Sequence, residues 1–314
     1  MQKIEAFQSK IKEIYPQTFT EILENLKIKR PVTFRVNTLK SSKEGVISRL
    51  KGQGFQITKG PLENSFIIKS EASLKLSQTE EFNTGGIYIQ ELSSMIPVLE
   101  LSPKEGENIL DLCAAPGSKT TQIVEITQNK AFITAVERSK GRFFALKSIL
   151  NLHNAKNINT MLANGVGLEK RNPSFINFFD KVLIDAPCTN EARLNPEDEK
   201  TLKFWNPKKH KSLSSLQKGL LISGIKMLKN DGILVYSTCT FQVEENELVV
   251  NWLLEKFPGV SVEKLNTNLK NSTSGITEWK NKKLNQQIKN TKRILPNRHF
   301  GGFFIAKLKK KEII

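Results

Sequence analysis

From Ile109 onward, short apolar runs that suit buried strands alternate with amphipathic stretches that suit helices. No other feature of the chain restricts its fold as much. Residues 109–112, 131–136, 157–162, 181–185 and 232–236 read as five strands. Helical patterns start near Lys119 and cover 143–152, 213–228 (closed by Asn230-Asp231-Gly232) and 244–257. Residues 293–295 and 303–308 read as a closing strand pair around Gly301-Gly302. This rhythm predicts an α/β fold with a doubly wound, mostly parallel sheet. Ligands of such sheets bind beyond the carboxyl ends of the strands. Asp111, Glu137, Asp185 and Cys239 all fall at or just past strand ends, so the topology brings four polar groups to one edge.

The first 85 residues have a different pattern. Ile4, Phe7, Ile11 and Ile14 mark one helical face, and Ile22, Leu23 and Leu26 continue it after Pro16. A strand over 32–37, a helix over 44–50 and a strand over 66–68 complete a small N-terminal α+β domain, 1–85, with Gly85-Gly86 as its boundary. The second domain is then 86–314, with a basic insert at about 259–293.

Charge narrows the choice of partner. Forty-eight Lys and Arg face 31 Asp and Glu over 314 residues, a net +17. A surplus of that size favours a polyanion through phosphate neutralisation and counterion release; the competing reading is a solvated, Lys-rich surface. The stretch 259–314 alone carries 13 basic residues against 3 acids, as a binding face or as a solvated insert. No apolar run approaches the ~20 residues needed to cross a bilayer, so no membrane partner is expected. Met1-Gln2-Lys3-Ile4-Glu5 lacks the layout of a secretory signal. Three cysteines are too few for a disulfide framework and lack zinc spacing. A reduced, cytoplasmic setting and no metal are expected, and the oligomeric state is not legible.

Three short segments carry the chemistry. In 111–119 small residues and Gly117 let the backbone approach a ligand, and the following helix offers free amides. The segment lacks both Gly-x-x-x-x-Gly-Lys-Ser/Thr and Gly-x-Gly-x-x-Gly, so on spacing alone an ordinary strand-to-helix turn is nearly as good a reading. Glu137, about 20 residues after Gly117, suits a ribose hydroxyl pair, although a lone acid at a strand end is more often solvated. Cys188 follows Asp185-Ala186-Pro187, and Cys239 follows Tyr236-Ser237-Thr238. A cofactor loop with two loop thiols fits methyl transfer to carbon 5 of a pyrimidine. That carbon becomes nucleophilic only after a thiolate adds at carbon 6, and the thiolate must later be expelled. Asp185 is placed to stabilise charge that develops around N3 and the 4-amino group. Cys113 reads as a small buried hydrophobe.

Asp-Leu-Cys-Ala-Ala-Pro-Gly-Ser-Lys-Thr at 111–120, Asp-Ala-Pro-Cys at 185–188 and Ser-Thr-Cys-Thr at 237–240 resemble the three signature motifs of the RsmB/NSUN (Nop2/Sun) family. These are S-adenosylmethionine-dependent RNA cytosine-5 methyltransferases with a Rossmann-like sheet. Arg35-Val36-Asn37-Thr38, residues 88–95 and residues 244–247 are similar to further family segments, so the likeness runs from about Arg30 to Leu308. The resemblance implies that Cys113, Ala114, Ala115, Pro116, Gly117, Ser118 and Lys119 wrap the S-adenosyl-L-methionine. It implies that Glu137 holds the ribose, where Asp is commoner, and that Asn164 stands where an Asp contacts the adenine. Asp185 borders cofactor and cytosine, and Lys119 faces the base. Cys239 is the implied nucleophile and Cys188 the implied aid to product release; the residues alone do not separate the two thiols. Thr189-Asn190-Glu191-Ala192-Arg193 departs from the usual Ser-Gly-x-Gly. The implied partner is rRNA or tRNA. Candidate contacts are the N-terminal unit, the run Pro207-Lys208-Lys209-His210-Lys211 and the basic C-terminal segment. Rival readings are a catalytically silent RNA-binding or ribosome-assembly factor on the same fold, and a methyltransferase acting on DNA or protein.

Overall fold

The computed structural model describes residues 2–69, 73–203 and 205–311; the outer limits of the two expected domains, Met1 and Ile314, lie outside them. Four strands form an antiparallel sheet: β1 (Thr33–Val36), β2 (Ile57–Lys59), β3 (Ser65–Ile68) and β4 (Ile87–Ile89), in the order β2-β3-β1-β4. The expected boundary at Gly85-Gly86 therefore falls inside this sheet, because β4 follows it and pairs with β1. β2 escaped the sequence pattern because three residues carry almost no periodicity.

The central sheet contains β5 (Asn108–Asp111), β6 (Phe132–Glu137), β7 (Ile158–Leu162), β8 (Phe179–Asp185) and β9 (Leu228–Thr238), all parallel. Then come β10 (Val260–Glu263), β11 (Ser272–Ser274), a small hairpin of β12 (Glu278–Trp279) and β13 (Lys282–Lys283), β14 (Lys292–Ile294) and β15 (Phe303–Lys310). The order is β11-β14-β15-β9-β8-β5-β6-β7, with β10 also on β15. β15 runs antiparallel to β9 and β14, as the closing pair requires.

Alternation along the strands explains the two-sided core. Val182, Ile184, Leu234 and Tyr236 pack with Leu221, Ile225, Val250 and Leu253 of helices His210–Met227 and Glu247–Lys256. Leu183, Val235, Ile109 and Ile133, one residue out of step, pack with Met95, Val98, Ile123 and Val124 of helices Leu92–Leu101 and Ser118–Ile126. Asn230-Asp231-Gly232 does not close the long helix. The helix ends at Met227, and these residues lie inside β9, opposite a register irregularity in β8.

Two expected units are organised differently. Helices α1 (Gln2–Ile14) and α2 (Phe19–Lys27) do not join the core of the small sheet. Phe7, Ile11, Ile22 and Leu26 pack against Leu194, Trp205 and Phe241 of the large domain. The basic stretch 259–293 contributes β10, β11 and the start of β14 to the central sheet, and one of its cations, Arg293, is internal. Arg35 of β1 is buried too. It donates to Gln90 Oε1 (2.6 Å), Ser118 O (3.0 Å) and Thr121 Oγ1 (3.0 Å) and pairs with Glu125, which binds the small sheet to the helix after the cofactor-loop segment. No described helix is long and apolar enough to cross a membrane.

Candidate active site

The register of the central sheet sets the site. Asp185 is paired with Ser237, and Asp111 with Leu183, so the ends of β5, β8 and β9 reach one edge. After β5 the chain turns tightly into helix Ser118–Ile126. Gly117 has φ +113°, and a Cβ there would lie 3.1 Å from Ile149 Cγ2 and 3.2 Å from Leu146 Cδ1. Only glycine meets both demands easily. Asp111 fastens the turn: its carboxylate accepts from Thr120 Oγ1 (2.8 Å) and, at 3.4 Å, from the Cys113 amide. Burial pushes its carboxyl up to about 6.

A cavity of about 490 Å³ opens at this edge. Cys113, Ala114, Ala115, Pro116, Ser118 and Lys119 line it from the β5 turn, and Glu137, Asn164, Asp185, Cys188 and Cys239 from the other loops. Every candidate site residue except Gly117 therefore meets in one place; Gly117 shapes the turn from behind. Glu137 is buried, accepts from the Ser139 amide (2.8 Å) and lies 3.7 Å from Arg142. Asn164 is exposed, and its Oδ1 is taken by the Val166 amide (3.0 Å). Burial and neighbouring carboxylates push the Cys113 thiol well up, which fits its reading as an inert small side chain.

At the inner end, Lys119 Nζ donates to Asp185 Oδ2 (2.7 Å) and to Ser94 Oγ (2.8 Å), while Ser237 Oγ donates to Asp185 Oδ1 (2.9 Å). The two loop thiols stand beside this pair, with Cys188 Sγ and Cys239 Sγ 3.5 Å apart. Both point at Asn190 Oδ1, Cys239 from 2.9 Å and Cys188 from 3.6 Å. Their acidities separate. The contact with Cys188, the Arg193 guanidinium and Lys119 draw Cys239 below the usual thiol value. The same contact and burial raise Cys188 well above it. The Arg193 guanidinium favours the thiolate at Cys239 independently of the sulfur–sulfur contact.

One buried carboxyl joins the two cysteine loops. Glu245 accepts from Thr189 Oγ1 (2.7 Å), the Thr189 amide (3.2 Å) and Gln217 Nε2 (2.9 Å), and Thr189 Oγ1 also meets Thr240 Oγ1 (2.6 Å). The unusual segment after Cys188 finds its logic here. Asn190 has φ +57°, a conformation that Gly takes freely and Asn tolerates. Glu191 turns inward to accept from Trp205 Nε1 (3.1 Å), Thr240 Oγ1 (3.2 Å) and Gln242.

The family model of the 16S rRNA methyltransferase RsmB/F matches residues 98–309, and that of the RsmF/B-like ferredoxin-like domain matches residues 6–75. The chain belongs to the RsmB/F methyltransferase family. A tRNA (cytosine(49)-C(5))-methyltransferase from Pyrococcus abyssi is 36% identical over 88% of this chain and 88% of its own length. A mouse 28S rRNA (cytosine-C(5))-methyltransferase is 35% identical over 96% of this chain but only 38% of its own. The chain spans less than half the length of the curated eukaryotic relatives it matches. A crystal structure of a methyltransferase homologue from Pyrococcus horikoshii superposes with a TM-score of 0.82 at 33% identity, covering 96% of this chain and 93% of that one. The Rossmann-like sheet and small N-terminal domain agree with this RsmB/F assignment.

Several residues of the site were not singled out from the sequence. Ser94 and Glu245 stand inside the family-like segments 88–95 and 244–247, where their residue types alone imply no role. Arg193 stands in the departing segment after Cys188 with no role legible there, and Arg142 carries no signal at all, since a lone arginine on a basic chain does not announce a cavity.

Proposed function

We propose that the chain transfers a methyl group to carbon 5 of cytidine in rRNA or tRNA, with S-adenosyl-L-methionine as donor. The carrying observation is the thiol pair, 3.5 Å apart, beside the Asp185–Lys119 pair at the end of one cavity. The cavity fits the donor chemically. About 490 Å³ lies within the range of cofactor sites. The helix start at Ser118 offers free amides, and Glu137 presents a carboxylate suited to a ribose diol. Residues 113–119 would hold the methionine and adenosine parts, Glu137 the ribose and Asn164 the adenine side. Bound there, S-adenosyl-L-methionine supplies an electrophilic methyl group.

The protein's own steps follow from the site. Cys239, as thiolate, forms the sulfur–C6 bond, and the electron pair of the C5=C6 bond moves into the ring, where it makes C5 nucleophilic. Asp185, held by Lys119 and Ser237, accepts from the 4-amino group, and the Lys119 ammonium offsets the negative charge that this places toward N3. After C5 is methylated its proton passes to water, the C–H electron pair re-forms the C5=C6 bond, and the sulfur–C6 bond breaks to return Cys239 as thiolate. Cys188, beside that bond, assists this release.

The test is methyl transfer from labelled S-adenosyl-L-methionine to unmodified RNA, with nucleoside analysis by mass spectrometry. The expected result is 5-methylcytidine from wild type, none from Cys239→Ala, and a covalent protein–RNA adduct that accumulates with Cys188→Ala. Undiminished 5-methylcytidine from Cys239→Ala would overturn the thiol assignment. Cofactor binding without 5-methylcytidine on any RNA would favour the binding-factor reading.

A further inference from the structure

A second, larger opening of about 1100 Å³ lies between the small sheet and the loop that precedes β15. Its rim carries Lys29, Arg30, Lys59, Lys69 and Arg298, and no Asp or Glu lines it among the described residues. Four of these cations are exposed, and none of the four has an ion-pair partner among the described residues. The fifth, Arg30, reaches Glu91 only at 3.5 Å through Nε, while its buried Nη1 has no hydrogen-bond partner. Like charges gathered without counter-charges repel one another. A polyanion relieves that repulsion and takes the spare guanidinium donor. The floor is apolar, from Ile28, Pro31, Val32 and Ile67, and suits the carbon faces of a sugar chain rather than a layer of bound water.

The groove communicates with the active site along a short path. Glu91, beside Arg30, precedes the first turn of helix Leu92–Leu101, and Ser94 in that turn accepts from Lys119. On the other wall, Arg298 lies five residues before Phe303, whose ring is 5.6 Å from Lys119 Nζ. An enzyme that works on a base must draw it out of its stack, so the nucleotides beside the target are single-stranded where they leave the cavity.

We propose that this groove seats the sugar–phosphate backbone of the single-stranded RNA segment next to the target cytidine. The proposal rests on the RNA reading of the active site but concerns a surface outside the reaction. It is tested by reversing Lys29, Lys59, Lys69 and Arg298 together to Glu, and measuring binding of a short fluorescein-labelled single-stranded RNA by anisotropy across a salt series. A control variant reverses Lys104, Lys147, Lys156 and Lys170, which are exposed and change net charge equally away from the groove. The groove variant should bind RNA at least about tenfold more weakly at moderate salt, and its log Kd against log salt slope should fall by about 0.7 for each phosphate no longer neutralised. The control should be weakened far less, and both variants should keep wild-type affinity for S-adenosyl-L-methionine, which reports an intact fold. Equal weakening in the two variants, or none in either, overturns the groove. Groove-dependent binding by a protein that makes no 5-methylcytidine leaves the groove standing and removes the catalytic reading instead.

Discussion

At the residue scale, the site is decided by which thiol ionises. Cys239 faces Arg193 and Lys119 and donates toward Asn190, whereas Cys188 is buried against Cys239 itself. Alkylation by iodoacetamide should therefore be faster at Cys239 than at Cys188 near neutral pH, with a lower midpoint at Cys239 than at Cys188. Arg193→Gln should move that midpoint upward, and each unit of displacement removes about tenfold of the thiolate at a given lower pH. The check is site-resolved alkylation against pH by mass spectrometry; an unchanged Cys239 midpoint in Arg193→Gln would show that the guanidinium is irrelevant to the thiol. Legibility at this scale was uneven. Lys119, Asp185 and both thiols stand in segments whose residue types point to chemistry. Arg193 stands in a segment that departs from the family pattern, and its role depends on the turn made by Asn190, a left-handed conformation that the letters alone do not disclose.

Elements hold these side chains through two buried polar centres. In the first, three donors converge on Glu245 and favour its carboxylate, yet burial outweighs them and carries the carboxyl from 4.5 up to about 7. The folded state then keeps a proton that the unfolded chain has released between those values. Its contribution to stability is complete below about 4.5 and is lost as pH rises through 7. Glu245→Gln does not titrate. The difference in unfolding free energy, wild type minus variant, should therefore fall by on the order of 3 kcal/mol from pH 4.5 to 8. Urea titrations at the two pH values measure it, and a pH-independent difference would sink the assignment. In the second centre, Arg293 of β14 donates to Glu247 of helix Glu247–Lys256, to Tyr15 at 2.8 Å and to Phe241 O at 2.9 Å. Arg293→Ala strands a fully buried Glu247, at an expected cost of about 3–5 kcal/mol, whereas Arg293→Met with Glu247→Leu should recover most of that stability. Equal denaturation midpoints for the single and double variants would contradict this. The sequence pattern did locate both strands and helices here. It assigned the basic stretch only by its charge, and so could not distinguish Arg293, internal, from Lys289, exposed.

The whole molecule combines a sheet edge that gathers chemistry with a strongly positive surface. The parallel order and the convergence of motifs at one edge were legible because buried strands are apolar on both faces and announce themselves as continuous runs. The placement of α1 and α2 was not, since an amphipathic face states that it needs a partner but not which one. Their packing against Trp205 brings the cationic start of helix His210–Met227 into the same neighbourhood. Lys208, Lys209 and Lys211 are exposed at that helix start, where positive charge opposes the helix dipole. Further along the same helix, Leu216 lines the active-site cavity and Gln217 grips Pro187 O at 2.9 Å. A polyanion that reaches the cavity past this helix would turn an unfavourable local arrangement into a favourable one. Reversal of the three lysines to Glu should weaken RNA binding and reduce its salt slope by about 0.7 for each phosphate left without a cation. It should also raise helix stability by a few tenths of a kcal/mol per charge, because acids suit a helix start. The two effects have opposite signs, so a variant that binds RNA more weakly while it unfolds at higher temperature separates a binding role from a structural one. A variant in which stability and binding fall together would assign the lysines to the fold.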